Sequence, residues 1–435
     1  MPICRIITTT MKHAGPTRRT VLALGCLAAL GECSARGQPA TSSAAASVQA
    51  NQAALDEVWE TVRDRFYDPH LHELDWLAMR QRYRLLAASA ASGEELAVVI
   101  NTMLAELGAS HTHYYTPEET AYYQLADIFV GTLRRRGLDR VFPSGEVTYP
   151  GIGVFTHVDD RGRTFITGVI EGSPANQAGL LLGDQILSVD ALPFRPVASF
   201  REKVGIPVNL SIRRKVDGSP MAVSVTPIEI HPNAMFLQGL KASARIITAA
   251  SGVQVGYVHV WSYAGNVYQR ALEDLIAEGP LRDADALIWD LRNGWGGAEP
   301  QYLDLFNAHA PTMQIKDRRG DIGFVGVKWR KPVVMLINGG TRSGKEVLAF
   351  GFKQYRLGEV VGTRSAGAVL AATAFLMGNG NLLLVAVADV LVDGQRLEGV
   401  GVTPTLEVPF DPAYAAGNDP QLDRAIEVLS IRKKE

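Results

Sequence analysis

The sequence predicts a multidomain α/β protein, in which an N-terminal helical domain and a β-rich module precede an α/β core. Three changes of texture carry this expectation. Apolar residues recur at helical spacing from residue 52 to about 121, short β-branched runs broken by turn residues follow from 149 to about 229, and strand-like and helix-like segments alternate from 256 onward. The implied divisions are 1–50 for a leader and linker, 51–147 for the helical domain, 148–230 for the β-rich module and 231–435 for the α/β core.

Charge excludes one class of function. The 435 residues hold 43 Lys plus Arg against 45 Asp plus Glu, a formal charge of −2 that gives no whole-protein field for nucleic acid. The three cysteines, Cys4, Cys26 and Cys33, all fall in the leader, so a nucleophile in the folded body must be oxygen-based and no thiolate metal site exists there.

The leader has the form of an export signal. Thr17-Arg18-Arg19-Thr20 precedes an apolar run over 21–30 that is too short to span a bilayer. The adjacent arginines suggest the twin-arginine route, and the Ala, Ser and Gly-rich stretch from 34 to 50 reads as cleavage region and linker. The expected location is the bacterial periplasm or cell envelope, with lipid anchoring through Cys26 as an alternative to a soluble product.

In the helical region the periodic residues are Leu55, Val58, Trp59 and Val62, then Leu96, Val99, Ile100, Met103, Leu104 and Leu107. Ser92 stands where the second run needs an N-cap, and Gly108 where it should end.

The β-rich module carries a more specific pattern. Gly172-Ser173-Pro174-Ala175-Asn176-Gln177-Ala178-Gly179-Leu180, followed by Gly183-Asp184-Gln185-Ile186-Leu187-Ser188-Val189-Asp190, resembles the helix and following strand of a PDZ domain. That resemblance implies a groove in which a peptide adds as a strand while backbone amides hold its terminal carboxylate. The loop would be Gly151, Ile152, Gly153 and Val154. A module that only packs on its neighbour is the alternative.

In the core, the apolar run 333–337 leads through Asn338-Gly339-Gly340-Thr341-Arg342 to Ser343 and then a helix-forming stretch. A hydroxyl at a strand-to-helix turn sits among unpaired helix N-terminal amides that can hold an oxyanion, although the same position suits a plain N-cap.

Two segments distinguish these readings. Asn338 through Glu346 is similar to the nucleophile segment of C-terminal processing (tail-specific) serine peptidases, and Ile288-Trp289-Asp290-Leu291-Arg292-Asn293-Gly294-Trp295-Gly296-Gly297 is similar to that family's strand and glycine-rich turn. The resemblance implies a catalytic core of the tail-specific protease (ClpP/crotonase-like) type. Ser343 would be the nucleophile, with oxyanion donors from Gly344 and Gly296, or Gly297 in place of Gly296. Most members activate the serine with a lysine twenty-five residues later; here that position holds Ala368, so a Ser-Lys dyad there is excluded.

The replacement base lies earlier in the chain. Ser110-His111-Thr112-His113-Tyr114-Tyr115 resembles the segment that supplies a Ser-His pair in the tricorn core protease and its lysine-less relatives, and Leu397-Glu398-Gly399-Val400-Gly401-Val402 resembles the segment carrying their glutamate. By that match His111 is the base, Ser110 an assisting hydroxyl and Glu398 the third member, with His113 the alternative base. Lys345 is expected to be exposed, and Glu346 to be structural or orienting.

The implied activity is an endopeptidase or carboxyl-terminal processing protease acting on exported polypeptides through an acyl-enzyme, without metal or organic cofactor. Substrates would be recognised by a C-terminus or an extended segment. A silent peptide-binding protein and an esterase with the same triad are the alternatives.

Overall fold

A computed structural model describes residues 41–431 apart from 308, 310, 312 and 326. The stretch read as an export signal, with the cysteines, lies outside the described residues. Helix Thr41–Arg65 begins inside the stretch read as linker, where alanine favours helix over extended chain. Among the described residues no helix is long and apolar enough to cross a membrane.

Helices Thr41–Arg65, Trp76–Ser89 and Gly93–Ala105 bury one face each. Asp75 accepts from the Ala78 amide (2.9 Å), and Ser92 Oγ accepts from the Glu95 amide (3.1 Å), so both later helices start on a side-chain cap. Their apolar face does not close on itself. Leu55, Ile100 and Met103 share a core with Leu370, Leu383 and Val385, which come from the far end of the chain. Those partners sit on or beside a three-stranded antiparallel sheet, His113–Tyr115 against Leu382–Ala388 against Ala371–Leu376. The short strand His113–Tyr115 therefore ties the helical region to the core directly behind His111.

The β-rich module is a five-stranded antiparallel sheet ordered Val154–Val158, Thr164–Val169, Gln185–Val189, Val208–Arg213 and Met221–Val225. The short helix Pro174–Gln177 starts on Ser173, whose hydroxyl accepts from the Asn176 amide. Val154–Val158 is an edge strand, so one side of its backbone is unpaired within the sheet.

The core sheet has six strands, ordered Leu406–Glu407, Glu359–Gly362, Val333–Ile337, Ala286–Asp290, Gln254–His259 and Arg245–Thr248. All neighbours are parallel except the last pair. Val333–Ile337 is buried throughout and distributes its side chains alternately. Val333, Met335 and Ile337 pack with Leu348 and Phe352 of helix Gly344–Gln354, while Val334 and Leu336 pack with Ala425 and Leu429 of helix Pro420–Ile431. A sheet covered on both faces opens only at its strand ends, and Ser343 follows the carboxyl end of Val333–Ile337.

Candidate active site

Ser343 stands at the N-cap position of Gly344–Gln354 without capping it: φ is 57° and ψ −133°, and its side chain makes no cap hydrogen bond. This left-handed backbone is costly for a non-glycine residue, on the order of 1–3 kcal/mol, and needs surroundings that over-determine it. They are present. The Ser343 amide donates to the Ala368 carbonyl (2.7 Å), Thr341 Oγ1 donates to the Leu291 carbonyl (3.0 Å), and the Ala366 amide donates to the Thr341 carbonyl (3.0 Å). The bend turns the hydroxyl off the helix axis, as a strand-to-helix nucleophile turn requires.

The two oxyanion candidates lie against this turn. A Cβ on Gly296 would fall 2.5 Å from the Ser343 Cβ and 3.0 Å from the Gly344 amide nitrogen, while one on Gly344 would overlap the Ala298 backbone. Only glycines permit that approach. Gly297 faces Tyr263 and Ala264 instead. Among the described residues neither the Gly296 nor the Gly344 amide donates a hydrogen bond, so both remain available to an oxyanion.

Glu346 is fully buried and accepts from Ser365 Oγ (2.6 Å) and from the amides of Gly367 (2.7 Å) and Ala368 (2.8 Å). It fastens the turn carrying Ala368 to the serine helix. Burial pushes its carboxyl above the ordinary value, and these bonds oppose that push.

The expectation that Lys345 is exposed is wrong. Its relative exposure is 0%, because the first turn of the serine helix is roofed by the loop 293–298. Its Nζ donates to the Asn293 carbonyl (2.8 Å), and burial lowers its pKa to about 7. Asn293 itself carries no signal in the sequence beyond its place before Gly294. It joins three elements, since its Nδ2 donates to Thr167 in the β-rich module (3.1 Å), its Oδ1 accepts from Asn338 (3.1 Å) and its carbonyl accepts from Lys345.

The base segment forms a second cluster. Ser110 Oγ lies 2.8 Å from His111 Nδ1 and 2.9 Å from Glu398 Oε2; Glu398 Oε1 accepts from the Ser110 amide (2.8 Å), and Oε2 also accepts from Val369 (2.8 Å) and Leu370 (3.3 Å). Glu398 reaches the imidazole through Ser110 rather than directly. With Glu398 accepting only, Ser110 donates to it and accepts a hydrogen bond from His111 Nδ1–H, which leaves Nε2 as the free acceptor. His111 is itself left-handed, with φ 56°. Burial first and the Arg342 cation second lower its pKa to about 4, against the opposing pull of Glu398.

No hydrogen bond joins His111 to Ser343 among the described residues. His111, His113, Tyr115 and Trp295 share a recess of about 240 Å³ with Arg342 and Ala368, which neighbour Ser343 in the chain and in its backbone pairing; Ser343 itself does not line it. His113 lies on the strand that pairs with Leu384 and packs its ring on Tyr115. The peptide-loop candidates Gly151, Ile152 and Gly153 are buried and Val154 is half-buried, beside a recess of about 10 Å³, room for one water molecule.

Comparison with known proteins points to the class of serine peptidases. Residues 254–408 match Peptidase family S41, 48–105 match the Tricorn protease C1 domain and 165–216 match a PDZ domain. The match to peptidase family S41 covers the α/β core rather than the whole chain. Similar curated proteins include Tricorn protease homolog 1 of Streptomyces coelicolor, 25% identical over 88% of this chain and 35% of the relative. The Carboxyl-terminal-processing protease of Synechocystis sp. is 25% identical over 78% of this chain and 76% of the relative. This chain thus spans about a third of the tricorn relatives and most of the processing proteases. The crystal structure of the tricorn protease covers 89% of this chain, over 37% of its own, at a TM-score of 0.51 and 18% identity, a likeness of fold.

Proposed function

We propose that the chain is an exported endopeptidase or carboxyl-terminal processing protease using Ser343, His111 and Glu398, with Ser110 carrying the link between acid and base. The single observation that supports this most is the Glu398–Ser110–His111 relay, assembled from residues 288 positions apart and facing the turn that strains Ser343. A relay with four donors converging on one carboxylate orients an imidazole; a solvated surface glutamate does not.

In the proposed reaction, His111 Nε2 takes the Ser343 hydroxyl proton as Oγ bonds to the peptide carbonyl carbon. The resulting oxyanion rests on the Gly344 and Gly296 amides. As the C–N bond breaks, His111 passes the proton to the leaving amine; water, deprotonated by the same nitrogen, then releases the acyl group and restores the serine. Lys345, occupied by the Asn293 carbonyl, is a support for the oxyanion loop. The PDZ module would present polypeptide along the unpaired edge of Val154–Val158, with residues 151–154 as the loop beside it.

The test is labelling by a fluorophosphonate. Wild type should label and Ser343→Ala should not, and peptide hydrolysis should disappear with the label. Folded wild type that neither labels nor cleaves any peptide would overturn the reading in favour of a silent binding protein, and cleavage of esters alone would point to an esterase.

A further inference from the structure

Arg342, immediately before the nucleophile, has no acidic partner. Among the described residues it forms no ion pair and its guanidinium donates no hydrogen bond; its Nε is buried with nothing to donate to. Its guanidinium carbon lies over the ring of Trp295, 5.3 Å from the centroid. It lines the recess of about 240 Å³ together with His111, His113, Tyr115 and Trp295, and no carboxylate lines that recess. The buried Arg292 of the core makes the contrast with half-buried Arg342: it is engaged by Asp290 (2.6 Å) and Asp419 (2.7 Å).

A buried donor without a partner is costly, and more so when charged. A planar guanidinium fork lining a recess with no carboxylate of its own is the complement of a carboxylate. The recess is too small for a folded segment and of a size for one side chain or chain terminus. We infer that Arg342 is a specificity-determining residue, whose recess receives a carboxylate of the substrate beside the scissile bond. That carboxylate is either an Asp or Glu side chain or the α-carboxylate of a short leaving segment. The recess adjoins both the base and the oxyanion loop through Trp295, so the pairing positions the bond to be cut as well as selecting it. This inference rests on the reading of Ser343 as the nucleophile.

The experiment uses the full chain and peptide pairs that differ only by Asp against Asn or Glu against Gln around the cleaved bond. A second set has a free acid against an amide at the C-terminus. Wild type should prefer one acid set by at least about tenfold in kcat/KM, the scale expected of a desolvated charge pair. Arg342→Gln should bring that ratio near one, and Arg342→Lys, which keeps the charge but loses the fork, should fall between. Which set responds identifies the source of the carboxylate. Equal rates for acids and amides in a wild type that labels with fluorophosphonate would overturn the inference while leaving the serine reading intact. If wild type does not label, fluorescence polarisation of the same peptides on wild type and Arg342→Gln decides it: acid preference lost in the variant supports the recess, and equal binding overturns it.

Discussion

Two carboxylates organise the site, Glu346 buried and Glu398 half-buried, and they do so for different halves of it. Glu346 sits one helical turn after the nucleophile and collects Ser365, Gly367 and Ala368. Glu398 collects Ser110, Val369 and Leu370. The first set is local to the core; the second reaches across 288 positions to the segment after the N-terminal helices. Both act on the one turn 365–370, at whose centre Ala368 replaces the lysine of the related dyad enzymes. The difference teaches that backbone does the joining: the turn accepts from the Ser343 amide and donates its own amides to both carboxylates.

Breaking either half should separate their roles. The largest effect is expected from Ser343→Ala and His111→Gln, each lowering kcat/KM by about 10⁴-fold or more, with the double variant little worse, since such groups act as a unit. Single-turnover assays of the three proteins check this. Next, Ser110→Ala should cost about 10²- to 10⁴-fold in kcat by leaving the imidazole without its orienting acceptor, with KM little changed. Glu398→Gln and Glu346→Gln each turn an acceptor into a donor facing amides, and should each lower stability by about 1–3 kcal/mol in denaturant titrations. Only Glu398→Gln should also move the acid limb of the rate profile.

That limb is itself diagnostic. A neutral His111 is required, and its pKa is lowered to about 4, so activity should persist as pH falls below the ordinary histidine value of 6.5 and fade near 4. Arg342→Gln removes a cation that depresses this value, so its limb should move upward in pH. A wild-type limb near 6.5 would assign the base elsewhere. The smallest effect concerns Lys345. Its folded pKa of about 7 lies below 10.5, so the unfolded chain binds more protons between those values and stability should rise with pH across that window. Lys345→Met should lack that rise when unfolding free energies are compared at pH 7 and 10.

The nucleophile half was legible because it is contiguous: strand, turn, serine and helix follow one another within residues 333–354, and buried strand 333–337 is as apolar in the sequence as in the fold. The base half was legible only through family resemblance, since nothing local to Ser110 or His111 announces a partner at 398. What stayed hidden were pairings without a pattern. Leu382–Ala388 reads as a buried strand, but its partner His113–Tyr115 is three residues long, too short to register. Lys345 looked solvated because its burial depends on the loop 293–298 arriving from another strand. Asn293 touches three elements, and each contact is tertiary.

The relay also fixes an order in time. A chain growing from its N-terminus makes Ser110 and His111 early and Ser343 much later, yet the carboxylate that aligns them comes only with residue 398. Until that residue has been made and folded back, the Ser110 hydroxyl lacks its carboxylate acceptor and the His111 imidazole lacks the contact that fixes its tautomer.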